Sequence, residues 1–383
     1  MLRLKFFRQR PLDPGRNVPQ LMSLSDYQFD SRLAFAATIP ASWYFDPAML
    51  AREQETVFAH TWQLVGRSEQ VAAPGAYFTT TIANEPIIIV RGMDEKLRAL
   101  SNVCRHRAGP IAEGAGQRKV LQCSYHGWTY LLDGRLHGTP EFEGVECFDK
   151  TKNCLPEFSV AEWAGLVFVN LDNACAPLTE TLEDLPSRLL HQDLTAMKFA
   201  LRKDWYVDCN WKAYVDNYLE GYHIPLVHPG LNRELDYANY RTETKRYYSM
   251  QHAPIKPNDN MRLRMSEDQA ANQTQFFWLF PNLMLNVYPD NYSTNLIVPL
   301  GPERTLTIFE WFFRDPESEA VQEKLRRTVE FSDEIQIEDI RICEAVQRNL
   351  KSRSYSTGRY SVQRENGVHH FHSLLNEFLQ APV

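Results

Sequence analysis

Cys104-Arg105-His106 is followed by sixteen residues and then Cys123-Ser124-Tyr125-His126. The chain has seven Cys and eleven His in 383 residues, so one C-x-H or C-x-x-H is already uncommon by chance. The two together, this close, are rarer still. Thiolates and imidazoles are metal ligands. Two of each serve either one tetrahedral zinc or a [2Fe–2S] cluster in which two His replace two Cys on one iron, raising its potential. The spacing favours the cluster, because each loop offers one thiolate to one iron and one imidazole to the other. Zinc fingers usually pair Cys with Cys and His with His. Gly109-Pro110 and Gly127 allow turns tight enough for backbone N–H groups to approach sulfide.

A second group lies at 208–229, DCNWKAYVDNYLEGYHIPLVHP. Trp211, Tyr214, Val215, Tyr218, Leu219 and Tyr222 recur at helical spacing, which predicts a helix near 210–223 capped by Asp208 or Asn210. Asp216, Glu220 and His223 form a polar stripe on it. Pro225 should end the helix near His223. A turn must then bring His228 back, since residues five apart on a straight helix point about 140° from each other. Two converging His without Cys are half of a 2-His-1-carboxylate site for Fe(II), which leaves positions open for oxygen. Asn217 could reach the iron, and Glu220 could hold the His223 imidazole from behind.

The carboxylate must come from elsewhere. Residues 331–351 read as a helix with Ile335, Asp339, Ile342 and Val346 on one face. An Asp in an apolar stripe needs a cation, so Asp339 is the expected third ligand, with Asp333 and Glu338 as fallbacks. Glu334, Glu338 and Arg341 fall on a face expected to be solvated.

These groups need elements to hold them. Residues 1–44 read as a leader with a basic arm at its start, packing on the second domain. Asp46–Trp62 has helical spacing. From there to about 168, short β-rich runs alternate with turn signals: 75–83, 86–90 and 166–171. Beyond it come the helix near 210, a β-rich block over 275–313, and helices at 317–351 and about 368–380. The expected class is α+β: a small β-rich domain (45–168), then a domain (169–383) with a long antiparallel sheet flanked by helices.

Lys and Arg total 41 against 48 Asp and Glu, a net charge of −7, which argues against nucleic acid or an anionic membrane as main partner. No apolar run is long enough for a membrane helix. An odd number of cysteines in a long chain argues for a reducing compartment, and a cytoplasmic location is expected.

CRHRAGP and CSYHGWTY resemble the Rieske family, and residues 40–380 are similar to the α subunits of Rieske non-haem iron oxygenases. The resemblance implies a Rieske [2Fe–2S] cluster on Cys104, His106, Cys123 and His126, and a mononuclear Fe(II) on His223, His228 and Asp339. It implies NAD(P)H electrons arriving through a flavin/[2Fe–2S] reductase, O2 as co-substrate, and a homotrimer. In that ring an acidic residue three before the first iron His, here Glu220, bridges the cluster of one subunit to the iron of the next. Most ring-dihydroxylating members have Asp there. Glu, together with NWKAYVDNYLEGYHIPLVHP, PNLMLNVYP and GVHHFH, is similar to the branch acting on choline, betaine or carnitine, by hydroxylation or N-demethylation. A quaternary ammonium group cannot donate hydrogen bonds and calls for an aromatic cage, for which Tyr218 and Trp278 are selected. His369, His370 and His372, near the C-terminal helix, are the weaker metal candidates. Two alternatives remain: aromatic-ring hydroxylation or O-demethylation by the same centres, and an electron carrier without catalytic iron.

Overall fold

The computed structural model describes residues 27–256 and 273–381. The basic arm expected at the N-terminus lies outside the described residues. Ten strands build the first half: β1 Gln63–Arg67, β2 Ala76–Ile82, β3 Glu85–Arg91, β4 Leu97–Ser101, β5 Ala115–Gln117, β6 Leu121–Gln122, β7 Thr129–Tyr130, β8 Leu136–Gly138, β9 Glu157–Trp163 and β10 Leu166–Asn170. Seven form an antiparallel sheet in the order β1-β10-β9-β4-β3-β2-β5, and β6-β7-β8 form a separate small sheet. The run Leu166-Val167-Phe168-Val169 is apolar throughout because both its faces are covered. Val167 and Val169 pack inside this domain, while Leu166 and Phe168 pack against the second half.

The second half carries β11 Lys198–Val207, β12 Arg241–Thr244, β13 Tyr248–Pro254, β14 Gln273–Leu279, β15 Leu283–Val287, β16 Asn291–Gly301 and β17 Arg304–Phe313. They make one antiparallel sheet, β11-β17-β16-β15-β14-β13-β12. The helices are α1 Pro47–Glu53, α2 Leu178–Leu182, α3 Leu185–Arg188, α4 Trp211–Tyr218, α5 Ile224–Val227, α6 Pro229–Glu234, α7 Glu319–Asn349 and α8 Asn366–Gln380. One face of the long sheet meets α4, α7 and α8. The other face, through Met250, Phe277, Leu285 and Phe312, meets α2, α3 and the first sheet. The α+β architecture expected from the sequence is the one observed. No helix among the described residues is long and apolar enough to cross a membrane.

The segment over 46–58 packs away from the β domain with which the sequence reading grouped it. Asp46 caps α1, its Oδ1 accepting from the Ala48 N–H at 2.9 Å, with Pro47 at the first helical position. A π-helical turn, Gln54–Phe58, follows. Met49, Val57 and Phe58 share a core with Trp211 and Phe371. Each such fully buried side chain stabilises by about 1.5–3 kcal/mol, and that energy ties this segment to α4 and α8. The described part of the leader joins the same core through Tyr27, Ile39 and Trp43.

Candidate active site

The two ligand loops are built alike. Cys104 accepts at its carbonyl from the Ala108 N–H at 2.9 Å, and Cys123 from the Gly127 N–H at 3.0 Å. The donor residue, four after the cysteine, sits in the left-handed region in both: φ +55° at Ala108 and +75° at Gly127. Gly109 lies where a Cβ would come within 3.0 Å of the Cys123 sulfur, so only glycine lets the loops close together. The His106 and His126 rings stand 4.7 Å apart, and His106 stacks on Trp128 at 4.8 Å. The Tyr130 hydroxyl reaches the Cys104 sulfur at 3.3 Å and accepts from the Arg105 N–H at 3.0 Å. The sequence reading missed Tyr130, although it ends the CSYHGWTY run.

Whether these donors fit a cluster is tested by two observations. His106 Nδ1 is buried without a hydrogen-bond partner, which is costly unless something fills its lone pair. Among the described residues, the set of three or more metal-type donor atoms lying within 4.8 Å of one another is His223, His228 and Asp339. The four loop donors are spread more widely. A tetrahedral zinc, with bonds of about 2.0–2.3 Å, would draw its ligands to within about 4 Å of each other. Two buried thiols and two imidazoles spread in this way suit a [2Fe–2S] cluster.

At the second centre, α4 ends at Tyr218, not near His223. Asn210 is its cap, accepting from the Lys212 N–H at 3.0 Å. Glu220 and His223 therefore lie on a turn and do not share a helix face with Asp216. Gly221 makes that turn possible, because the Tyr240 ring occupies the space of a Cβ, at 2.9 Å. The single turn of α5 then separates His223 from His228 and brings their rings to 5.0 Å.

Both imidazoles are held from behind. His223 Nδ1 lies 2.6 Å from Glu220 Oε1, and His228 Nδ1 lies 2.7 Å from Glu338 Oε2. Glu220 also accepts from the backbone N–H groups of Tyr222 and His223. A carboxylate on Nδ1 fixes the proton there and leaves Nε2 as the metal-binding edge. The two Nε2 atoms turn toward Asp339 Oδ1, at 3.8 and 3.0 Å, and Asn217 Nδ2 donates to that same oxygen at 2.6 Å. Burial disfavours the charged form of His228, but Asp339 and Glu338 outweigh it and its pKa is raised. This is the donor set of an iron site with open positions.

Several expectations need correction. Glu338 is not on a solvated face: it holds His228. Asp333 pairs with Lys203 at 2.5 Å and stays out of the centre. The three C-terminal histidines diverge. His372 is buried between the Tyr360 hydroxyl (2.7 Å) and Asp216 (2.9 Å), His369 stacks on Phe29, and His370 faces the Arg246 carbonyl. Their rings share no common point.

A cavity of about 750 Å³ opens beside the centre, between α4, α7 and the long sheet; Tyr218, Phe276, Tyr288, Phe309 and Trp311 are among its walls. Tyr218 lines it. Trp278 does not: it is fully buried, its Nε1 donates to the Pro281 carbonyl at 3.0 Å, and it packs on Phe371. It lies on the same strand face as Phe276 but two residues further along, under α8.

One consequence is open to direct measurement. Glu338→Ala should weaken iron retention about 10- to 100-fold. Glu338→Gln should do less, because an amide oxygen still accepts from Nδ1. Iron content after graded chelator challenge measures both, and unchanged retention in the alanine variant would remove Glu338 from the centre.

Comparison with known proteins agrees with this geometry. Residues 61–149 match the Rieske [2Fe-2S] domain, and residues 194–381 match the catalytic domain of the ring hydroxylating alpha subunit. Chloroplastic choline monooxygenase of Arabidopsis thaliana is 33% identical, covering 98% of this chain and 92% of that protein. The carnitine monooxygenase oxygenase subunit of Escherichia coli is 35% identical, over 89% and 93%. The crystal structure of the quaternary ammonium Rieske monooxygenase CntA with L-carnitine superposes with a TM-score of 0.80 at 30% identity, over 92% of this chain and 98% of that one. Naphthalene 1,2-dioxygenase from Rhodococcus, at 18% identity and a TM-score of 0.74, shares the fold. The chain belongs to the Rieske non-haem iron oxygenase α subunits. It is an oxygenase with a Rieske cluster and a mononuclear iron, and the electron-carrier alternative falls.

Proposed function

We propose that this oxygenase hydroxylates or N-demethylates a small quaternary ammonium compound of the choline, betaine or carnitine type. The observation that carries the reading is the cavity beside His223, His228 and Asp339. Phe276 and Tyr288 meet edge-on at 6.3 Å along one wall, and Phe309 and Trp311 at 6.0 Å along another. Aromatic faces on two sides suit a methylated ammonium, which offers positive charge but no N–H. The names of the choline and carnitine relatives support the same class.

Cys104, His106, Cys123 and His126 would hold the cluster, and His223, His228 and Asp339 the mononuclear iron. When bound, these groups supply one-electron transfer and O2 chemistry that no side chain provides. The chain's own part is to orient and to exclude water. Glu220 and Glu338 keep protons on the two Nδ1 atoms, Asn217 steadies Asp339 Oδ1, and the aromatic walls hold the substrate. NAD(P)H electrons would arrive through a flavin/[2Fe–2S] reductase. The functional unit would be a homotrimer in which Glu220 links one subunit's cluster to the next subunit's iron. Inter-subunit electron transfer described for the structure of a quaternary ammonium Rieske monooxygenase, 30% identical to this chain, supports that arrangement.

The test is NADH and O2 consumption by the reconstituted protein and a reductase. Choline, glycine betaine, carnitine, benzoate and salicylate would be offered, with aldehyde and formaldehyde followed alongside. Turnover of an ammonium compound with matching product is expected. Turnover of the aromatic acids alone would overturn the assignment.

A further inference from the structure

The floor of the cavity is one face of the long sheet, and its residues are unusual. Gln251, Phe276, Asn286, Ser293 and Trp311 are cross-strand partners from β13 to β17 and form one row. In the next row Asn295 faces Phe309. Asn291, Ser293 and Asn295 alternate along β16, so all three point to the same side and line the cavity. A sheet face beneath helices ordinarily carries apolar side chains, because buried polar groups need partners. Here the middle of the floor is polar and its flanks are aromatic.

The shorter hydrogen bonds in this strip form a chain, with the Phe277 carbonyl a second, longer acceptor for the Tyr218 hydroxyl at 3.2 Å. The Tyr218 hydroxyl donates to Asn286 Oδ1 at 2.8 Å, and Asn286 Nδ2 donates to Ser293 Oγ at 3.1 Å. Burial raises the Tyr218 pKa well above 10, which keeps that phenol a donor. Ser293 Oγ is thereby an acceptor from the protein and keeps its own O–H to give to the cavity. Asn295 is 7% exposed, and what it offers an anion is its amide N–H groups, since its Oδ1 can only accept. Its two N–H donors lie on the same strand face, about 7 Å along from Ser293. Of the charged side chains lining the cavity, Lys324 pairs with Asp290 and Arg327 with Glu323, and Glu330 pairs with Arg326.

We propose that Ser293 and Asn295, backed by Asn286 and Tyr218, bind the oxygen-bearing end of the substrate, and that this end is a carboxylate. The inference rests on the quaternary ammonium reading and narrows it from ammonium compounds in general to zwitterionic betaines. A carboxylate only accepts hydrogen bonds and can take both a serine O–H and an amide N–H. An alcohol such as choline can also accept from both, but it brings no charge, and hydrogen bonds to a neutral oxygen are about half as strong as those to a carboxylate. The aromatic flanks hold the methylated end while the polar strip sets which carbon faces the iron.

The test is the dissociation constant of the metal-replete protein, measured calorimetrically without O2, for glycine betaine, L-carnitine and choline. The wild-type protein should bind the carboxylates more tightly. Ser293→Ala and Asn295→Leu should each weaken carboxylate binding roughly 10- to 100-fold, the range for a hydrogen bond to a charged group, and choline binding by less than about 3-fold. Ser293→Thr should restore the preference. Asn295→Asp should reverse it, since a second carboxylate repels the first while attracting the cation. Wild-type preference for choline, or equal weakening of both classes in every variant, overturns the inference and leaves the ammonium reading standing. Absence of binding by any of the three overturns both.

Discussion

Asp339→Ala is expected to yield folded protein that keeps its [2Fe–2S] cluster and lacks its mononuclear iron. Asp339 Oδ1 is the oxygen toward which both Nε2 atoms turn, and the residue lines the cavity, so truncating it opens no hole in the apolar core. Without it, two neutral imidazoles face each other and no anion offsets a divalent cation. Iron per chain should fall from three to the two of the cluster, while the visible absorption of the cluster stays. Substrate-dependent O2 consumption should drop by about 10³-fold or more, as when a chemical group is removed outright rather than displaced. Asp333→Ala is the contrasting variant: Asp333 pairs with Lys203 outside the centre, and its loss should leave iron content unchanged. An alanine at 339 that retains three irons would refute the ligand assignment.

What could be read from the sequence was local. The two Cys/His loops, and His223 with His228, announce themselves because their ligands lie within a few residues of each other, where spacing alone constrains geometry. Asp339 lies 111 residues beyond His228, and it was reached by an argument only partly right. The stripe through Ile335, Asp339, Ile342 and Val346 is not the buried face of α7. Ile342 and Val346 are 36% and 42% exposed, and the buried positions are Gln336, Cys343 and Gln347, one residue along. Asp339 borders that face and points into the cavity. Glu338, its neighbour, was assigned to solvent because helical periodicity describes one helix and is blind to what packs against it. His228 arrives from α5, through tertiary contacts. The end of α4 was misplaced for a similar reason: the apolar spacing continues to Tyr222, but Tyr240, packed at Gly221, favours a turn. The polar strip on β16 was invisible too: residues 275–313 read as β-rich, but which face of that strand lines a cavity is decided by its neighbours β15 and β17 and by the helices above them.

Glu53→Ala is expected to cost about 3–5 kcal/mol of stability, although Glu53 is far from both ligand sets in sequence. Glu53 and Lys212 are both 0% exposed, with Nζ and Oε1 2.5 Å apart. The second carboxylate oxygen accepts from Trp211 Nε1 at 2.7 Å. Burial pushes the Glu53 carboxyl up and the Lys212 ammonium down, and each partner's charge opposes that push. Removing the carboxylate strands an ammonium with the Tyr44 and Trp211 rings, 5.6 and 5.5 Å away, and the charge of Asp216 as its electrostatic partners. Replacing both residues by methionine should recover most of the loss, because a buried pair is expensive to break and often inexpensive to exchange for apolar volume. Urea midpoints for the two single variants and the double variant, compared as a cycle, separate the pair's coupling from the cost of the orphaned charge. Lys212 lies on α4, which also carries Asn217 and Tyr218, so the ion pair anchors the helix that faces the cavity to the segment beside it. A Glu53→Ala cost no larger than that of an exposed ion pair, about 0–1 kcal/mol, would mean that water reaches Lys212 in the variant and that α4 is held by its apolar contacts alone.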